Sequence, residues 1–277
     1  MCGFDFNTLA EKLYPAVLDA GLLEMQHFKA GVPIETKSDK SPVTIADRDA
    51  EAIILAALEK VASGIPVVAE EAVAAGQIPA PASLFFLVDA LDGTRLFVRG
   101  KPEFSVNIGL VNNGKPVFGM IYVPPTGDLF YTFDAGRSAR VNAPWSLADR
   151  IPFQELRPRV LATRNPDTQN LKAFNSQSAG AVGAGLLRAL DVKHTEPIGS
   201  SLKFCLIAAG EGDIYARLGE TSEWDTAAGQ AILEAAGGTV TIDGGAPLTY
   251  GKADLGYRNP YFVAWGRQPM LRGFSGF

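Results

Sequence analysis

Apolar positions Leu9, Leu13, Val17, Ala20 and Leu23 recur at helical spacing, and Gly31-Val32-Pro33 closes the pattern. A first helix is predicted there, with Pro15 as a point of kinking or a later start. A polar loop, Lys37-Ser38-Asp39-Lys40-Ser41-Pro42, leads to a second helix with Ala50, Ile53, Ile54, Ala57, Leu58 and Val61 on one face. Thr44 and Asp47 stand at capping-box spacing where that helix starts.

The period then shortens to that of strands. Strands are predicted over 65–69, 84–88, 105–111 and 115–123, the last two flanking the hairpin signal Asn112-Asn113-Gly114. Residues 128–133 and 139–141 extend an antiparallel meander. From about Arg159 the rhythm alternates: strand at 160–162, helix at 201–209, strand at 213–217, helix at 226–236, strands at 239–242 and 261–265. The glycine-rich stretch 180–185 has no strand running into it and reads as a turn. The fold class is α/β, with an α+β half over 1–155 and an α/β half over 156–277.

Composition narrows the function classes. The 277 residues are 47% hydrophobic and 20% charged, as in a folded globular chain with a sizeable core. A net charge of −5 argues against a binder of nucleic-acid polymers but leaves room for a small anion held by local cations. Cys2 and Cys205 make no disulfide framework, and no stretch approaches the ~20 apolar residues of a membrane span. The expected location is the cytoplasm.

The candidate chemistry is acidic. Glu70-Glu71 follows one strand, Asp89 and Asp92 follow another, and Asp225 opens the helix at 226–236. Taken singly, each has an ordinary explanation as a strand exit, a β-turn or an N-cap. Together they gather at strand ends, where ligands bind in α/β sheets. Two ionised carboxylates about 4 Å apart repel by roughly 4 kcal/mol at an effective dielectric near 20, so either they point apart into water or something positive sits between them. Oxygen donors without histidine suit Mg²⁺. Gly93 lets backbone N–H groups approach a phosphate, and Thr94 places a hydroxyl beside them, which points to metal-assisted phosphate ester hydrolysis. His27 and His194 lack partners at ligand spacing, and Trp224 reads as a core residue before a ring stacked on a base.

The ordered set Asp47, Glu70-Glu71, Asp89-Ala90-Leu91-Asp92-Gly93-Thr94 and Trp224-Asp225-Thr226-Ala227-Ala228-Gly229, with Gly237-Gly238, resembles the lithium-sensitive, Mg²⁺-dependent phosphatase superfamily. That superfamily includes inositol monophosphatases and 3'(2'),5'-bisphosphate nucleotidases. Two stretches, residues 37–47 and Gly199-Ser200-Ser201-Leu202-Lys203-Phe204-Cys205 continuing through 213–219, resemble the bacterial bisphosphate nucleotidases in particular. The family usually has Pro where this chain has Ala90.

The resemblance implies a layered α-β-α-β-α sandwich and conversion of adenosine 3',5'-bisphosphate, a by-product of sulfur assimilation, to AMP and phosphate. It implies two or three Mg²⁺: one held by Glu70, Asp89, the Leu91 carbonyl and Asp92, a second by Asp89, Asp92 and Asp225, and a weaker third involving Glu70 and Glu71. Thr94 and Glu70 would orient the attacking water, with Asp39 or Asp47 supporting Thr94. Gly93, Thr94, Ser200, Ser201, Lys203, Arg217 and Asp225 would contact the substrate, with Lys203 and Arg217 taking its second phosphate. Inhibition by Li⁺ is expected. The assembly is a monomer or homodimer, with peripheral membrane association left open. The rival readings are an inositol monophosphatase-type sugar or polyol phosphatase and a metal-bound binding protein without turnover. In a haloacid-dehalogenase-type phosphatase the two acids stand two residues apart, against three here.

Overall fold

The computed structural model describes residues 4–37, 42–175, 181–271 and 273. Helix α1 (Phe6–Ala30) runs unbroken past Pro15 and is capped by Asp5, whose side chain accepts from Thr8 N–H. A short antiparallel ladder, β1 (Glu35–Thr36) with β2 (Pro42–Val43), leads into α2 (Ile45–Val61). Next come β3 (Val67–Ala69), α3 (Glu70–Ala74), β4 (Leu84–Asp92) and α4 (Thr94–Phe97). The meander is β5 (Ser105–Asn112), β6 (Lys115–Val123), β7 (Asp128–Asp134) and β8 (Arg137–Asn142). Asn113 and Gly114 both adopt positive φ at the β5–β6 turn, as the hairpin signal requires.

With β9 (Arg159–Val160) these strands form a seven-stranded sheet in the order β3-β4-β5-β6-β7-β8-β9. The strand predicted over 160–162 therefore closes the first sheet, pairing with β8, and does not open the second. The remaining elements are β10 (Lys172–Asn175), α5 (Ala181–Ala189), β11 (His194–Pro197), α6 (Leu202–Ala208), β12 (Ile214–Arg217), α7 (Ala227–Ala235), β13 (Thr239–Ile242) and β14 (Phe262–Trp265). Their strands form a five-stranded mixed sheet ordered β11-β10-β12-β14-β13. The turn expected at 180–185 is corrected: residues from Ala181 onward begin α5.

The layers run α-β-α-β-α. Helices α1 and α2 cover one face of the large sheet, α6 and α7 lie between the sheets, and α5 covers the outer face of the small one. Strand β4 shows how the pattern builds this. Phe86, Val88 and Ala90 enter the core beneath α1 and α2, while Phe85 and Leu87 point the other way toward α6 and α7. A strand buried on both faces reads as an unbroken apolar run, which is why Leu84 to Val88 carries no polar residue. Gly119 on β6 is where α7 lies against the sheet: a Cβ there would sit 2.1 Å from the Ala228 carbonyl oxygen. That close approach sets how deep the segment carrying Asp225 reaches.

Candidate active site

The sequence ends β4 at Val88, but the strand continues through Asp92. Asp89 pairs with Asn107 and Asp92 with Ser105, with a register shift between them. This irregularity bends the strand and lets both acids emerge near one another. Asp89, 4% exposed, accepts the N–H of Leu91 at 3.0 Å. Gly93 follows at φ +104, where an added Cβ would lie 2.7 Å from the Glu103 carbonyl. Ala90, in place of the family Pro, is buried and continues the core face of β4.

Carboxylate oxygens of Glu70, Asp89 and Asp225 come within 4.8 Å of one another. Burial, followed by the charge of Glu70, Asp92 and Asp225, holds the Asp89 carboxyl well above the usual carboxylate range. Burial and then Asp92 and Glu70 do the same to Asp225. Three crowded carboxyls, Asp89 buried and Glu70 and Asp225 half-buried, offer only oxygen donors and fit a hard divalent cation whose charge would relieve both effects.

Each acid is held by a device the sequence did not display. Glu51, buried on α2, accepts the N–H groups of Glu71 and Ala72 at 2.8 and 2.9 Å and so anchors the start of α3. Glu70 accepts the Trp224 indole N–H at 3.1 Å, so that ring is both a core residue and a bridge between halves of the chain. Lys37 reaches Glu70 and Glu71 at 2.5 Å each. Burial lowers the Lys37 ammonium, but Glu70 and Glu71 outweigh this and raise it, while burial pushes Glu71 up to about 7. Asp225 accepts Ser222 N–H at 2.8 Å, closing a 3-10 turn over Glu223–Asp225 ahead of α7 rather than capping that helix.

Asp92 is bound differently. Its Oδ2 accepts the backbone N–H of Ser201 at 2.6 Å, the Ser201 hydroxyl at 2.8 Å and the Asn107 amide at 3.3 Å. Ser201 Oγ also lies 2.8 Å from the Asp225 carbonyl, so this serine ties the large sheet to the turn before α7. Burial raises the Asp92 carboxyl, and the Ser201 bond opposes it.

Thr94 Oγ1 lies 2.8 Å from Asp47 Oδ1 and 3.1 Å from the Leu91 carbonyl. Asp47 Oδ2 accepts both the N–H and the hydroxyl of Thr44, completing the capping box of α2. Of the two acids considered for supporting Thr94, Asp47 makes that contact, and Asp39 lies outside the described residues.

Glu70, Asp89, Asp92, Thr94 and Asp225 line one cavity of about 1020 Å³. Lys203 and Arg217 stand on its wall. Lys203 is buried, not a solvated helix residue; its Nζ donates to the Ile198 and Ser200 carbonyls at 3.0 and 2.5 Å and lies 4.9 Å from the Tyr215 ring centroid. Burial draws its ammonium down to about 8. Arg217 donates to the Glu220 carbonyl at 2.7 Å. Ser200 lines the same wall with φ +48.

The inositol monophosphatase family profile matches residues 5–268. The "3'(2'),5'-bisphosphate nucleotidase CysQ" of Salmonella typhimurium is 35% identical over 92% of this chain and 98% of its own length. That of Escherichia coli strain K12 is 34% identical over 88% and 94%. Among solved structures, CysQ from Bacteroides thetaiotaomicron superposes with a TM-score of 0.77 at 32% identity, covering 95% of this chain and 99% of that one. The Thermotoga maritima IMPase shares the fold with a TM-score of 0.69 at 23% identity, covering 91% and 89%. The chain belongs to the inositol monophosphatase family.

Proposed function

We propose that this member of the inositol monophosphatase family is a 3'(2'),5'-bisphosphate nucleotidase, converting adenosine 3',5'-bisphosphate and water to AMP and phosphate. The observation carrying the reading is the charge layout of one cavity, with Glu70, Asp89 and Asp225 grouped together and Lys203 and Arg217 on the wall. The full-length relatives named as bisphosphate nucleotidases support it.

Glu70, Asp89, the Leu91 carbonyl and Asp92 would hold one Mg²⁺, Asp89, Asp92 and Asp225 a second, and Glu70 with Glu71 a weaker third. Bound Mg²⁺ would polarise the phosphoryl oxygens, acidify water and stabilise the departing ribose oxygen. The chain supplies orientation. With its one proton given to the Asp47 carboxylate, the Thr94 hydroxyl presents lone pairs to the cavity and can accept a hydrogen bond from water. Glu70, fixed by Trp224 and Lys37, can accept a second, which aims the water oxygen at phosphorus. A P–O bond to this water forms as the bond to the ribose oxygen breaks; the water gives up one proton through Thr94 to Asp47, and the ribose oxygen takes one from solvent and leaves as a hydroxyl. At Gly93 the backbone can approach the transferring phosphate closely.

Asp92, held by Ser201 and Asn107, would link metal binding to Ser200 and to the first turn of α6, which carries Lys203. The small-molecule substrate, Li⁺ inhibition and a cytoplasmic setting belong to the same reading. Among the described residues no helix is long and apolar enough to cross a membrane. Parallel assays of phosphate release from adenosine 3',5'-bisphosphate and inositol 1-phosphate test the proposal. Mg²⁺-dependent preference for the nucleotide is the expected outcome, and preference for the inositol ester would overturn it.

A further inference from the structure

Six cationic side chains line this cavity in a chain of net charge −5. Lys37, Lys203 and Arg217 already have partners in the protein. Arg95, Arg99 and Arg258 are exposed and make no ion pair or side-chain hydrogen bond with any described residue. Arg95 and Arg99 differ from Arg258 in what carries them. Phe97 N–H donates to Gly93 O and Val98 N–H to Thr94 O, each at 3.0 Å, so one helical turn leaves the candidate catalytic threonine directly. Arg95 lies within this turn, and Arg99 follows it in a tighter bend, its N–H donating to Leu96 O at 3.0 Å.

That turn is firmly seated. Phe97 is buried, with its ring centroid 5.0 Å from Phe104 and 5.5 Å from Phe28. Leu96 packs so closely on Gly199 that a Cβ there would lie 2.4 Å from Leu96 Cδ1. Arg95 on α4 and Arg99 in the turn just after it therefore both line the cavity wall, with their planar donor forks uncommitted among the described residues. Guanidinium forks match the oxygens of a phosphate in pairs.

We propose that Arg95 and Arg99 select for a second anionic group on the substrate, a phosphate-type oxyanion beyond the ester being cleaved. This rests on the bisphosphate reading above and extends it. Lys203, with its donors directed to backbone carbonyls, fixes the loop before it, and Arg95 and Arg99 supply the outer charge. A substrate carrying only the scissile phosphate leaves them unpaired.

The test is steady-state kinetics on adenosine 3',5'-bisphosphate and adenosine 3'-monophosphate, which differ only in the second phosphate. With charge-assisted bonds lost, the Arg95→Gln/Arg99→Gln enzyme should raise KM for the bisphosphate at least about tenfold. KM for the monophosphate should rise far less, and Arg95→Lys/Arg99→Lys should recover part of the difference. Equal changes for both substrates, or none, would overturn the proposal. If the wild type cleaves no bisphosphate, the function reading has failed, and the arginines are read separately through inhibition of p-nitrophenyl phosphate hydrolysis. Stronger inhibition by the bisphosphate than by the monophosphate, lost in the glutamine pair, would sustain them; equal inhibition would not.

Discussion

Thr94 Oγ1 lies 2.8 Å from Asp47 Oδ1, which joins the turn after β4 to the first turn of α2 across 47 residues of chain. The carboxylate that caps α2 therefore also decides which way the Thr94 hydroxyl points. Thr94→Ala should lower kcat by about 10²-fold or more, the scale of a lost proton-positioning group. Thr94→Ser should retain most activity, since it keeps the hydroxyl. Stopped assays on both variants check this, and an active Thr94→Ala enzyme would remove Thr94 from the mechanism.

Mg²⁺ should stabilise the protein more as pH rises. The carboxyls of buried Asp89 and half-buried Asp225 are raised above their unfolded values, so without metal their contribution is fully present below the unfolded carboxylate pKa and is lost as pH rises through the folded pKa. Metal binding needs the same groups deprotonated, and therefore gains as they ionise. At a Mg²⁺ concentration 100 times Kd, the added stability is about 2.7 kcal/mol. Melting curves with Mg²⁺ and with EDTA from pH 5 to 8 should diverge as pH increases. A constant gap across that range would count against a carboxylate metal site.

Glu24 is a different kind of acid. It is wholly buried on α1, and neither carboxylate oxygen has a hydrogen-bond partner among the described residues. Burial, then the charge of Asp47, raises its carboxyl well above the ordinary range. Glu24→Met should stabilise the fold by about 1–3 kcal/mol at neutral pH, because an unpartnered buried carboxyl is replaced by an apolar group of similar length. The advantage should shrink on acidification toward pH 4, where the unfolded state is protonated as well. Urea unfolding at two pH values measures both, and a destabilised Glu24→Met protein would show that Glu24 has a partner.

Much of this was legible in the sequence. The two long helices, the hairpin at Asn113-Gly114 and the burial of Cys205 followed from period and turn chemistry. The order of acidic residues pointed to one centre; carboxylate oxygens of Glu70, Asp89 and Asp225 lie within 4.8 Å of one another, while Glu71 and Asp92 stand outside that group. What failed were contacts between distant positions. The bond from Trp224 to Glu70 spans 154 residues, and that from Ser201 to Asp92 spans 109. No local pattern encodes such a bond. Glu51 left one signal, a charge on the apolar face of α2, which a buried anchor for α3 now explains. Helix α5 was missed because its glycines lower helix propensity, while burial of Leu186 against the second sheet overrides it. The short strands β10 and β11 carry too few residues for alternation to register.

The most direct test is a Mg²⁺ titration by calorimetry on the wild type and Asp89→Asn, with phosphate release from adenosine 3',5'-bisphosphate followed on the same samples. The wild type should bind Mg²⁺ and release phosphate only when it is present. Asp89→Asn should melt near the wild type yet lose Mg²⁺ binding and, with transition-state charge stabilisation gone, about 10³-fold in turnover. Turnover in Asp89→Asn within tenfold of the wild type, at the same Mg²⁺ dependence, would contradict the assignment of this acidic centre to metal and catalysis.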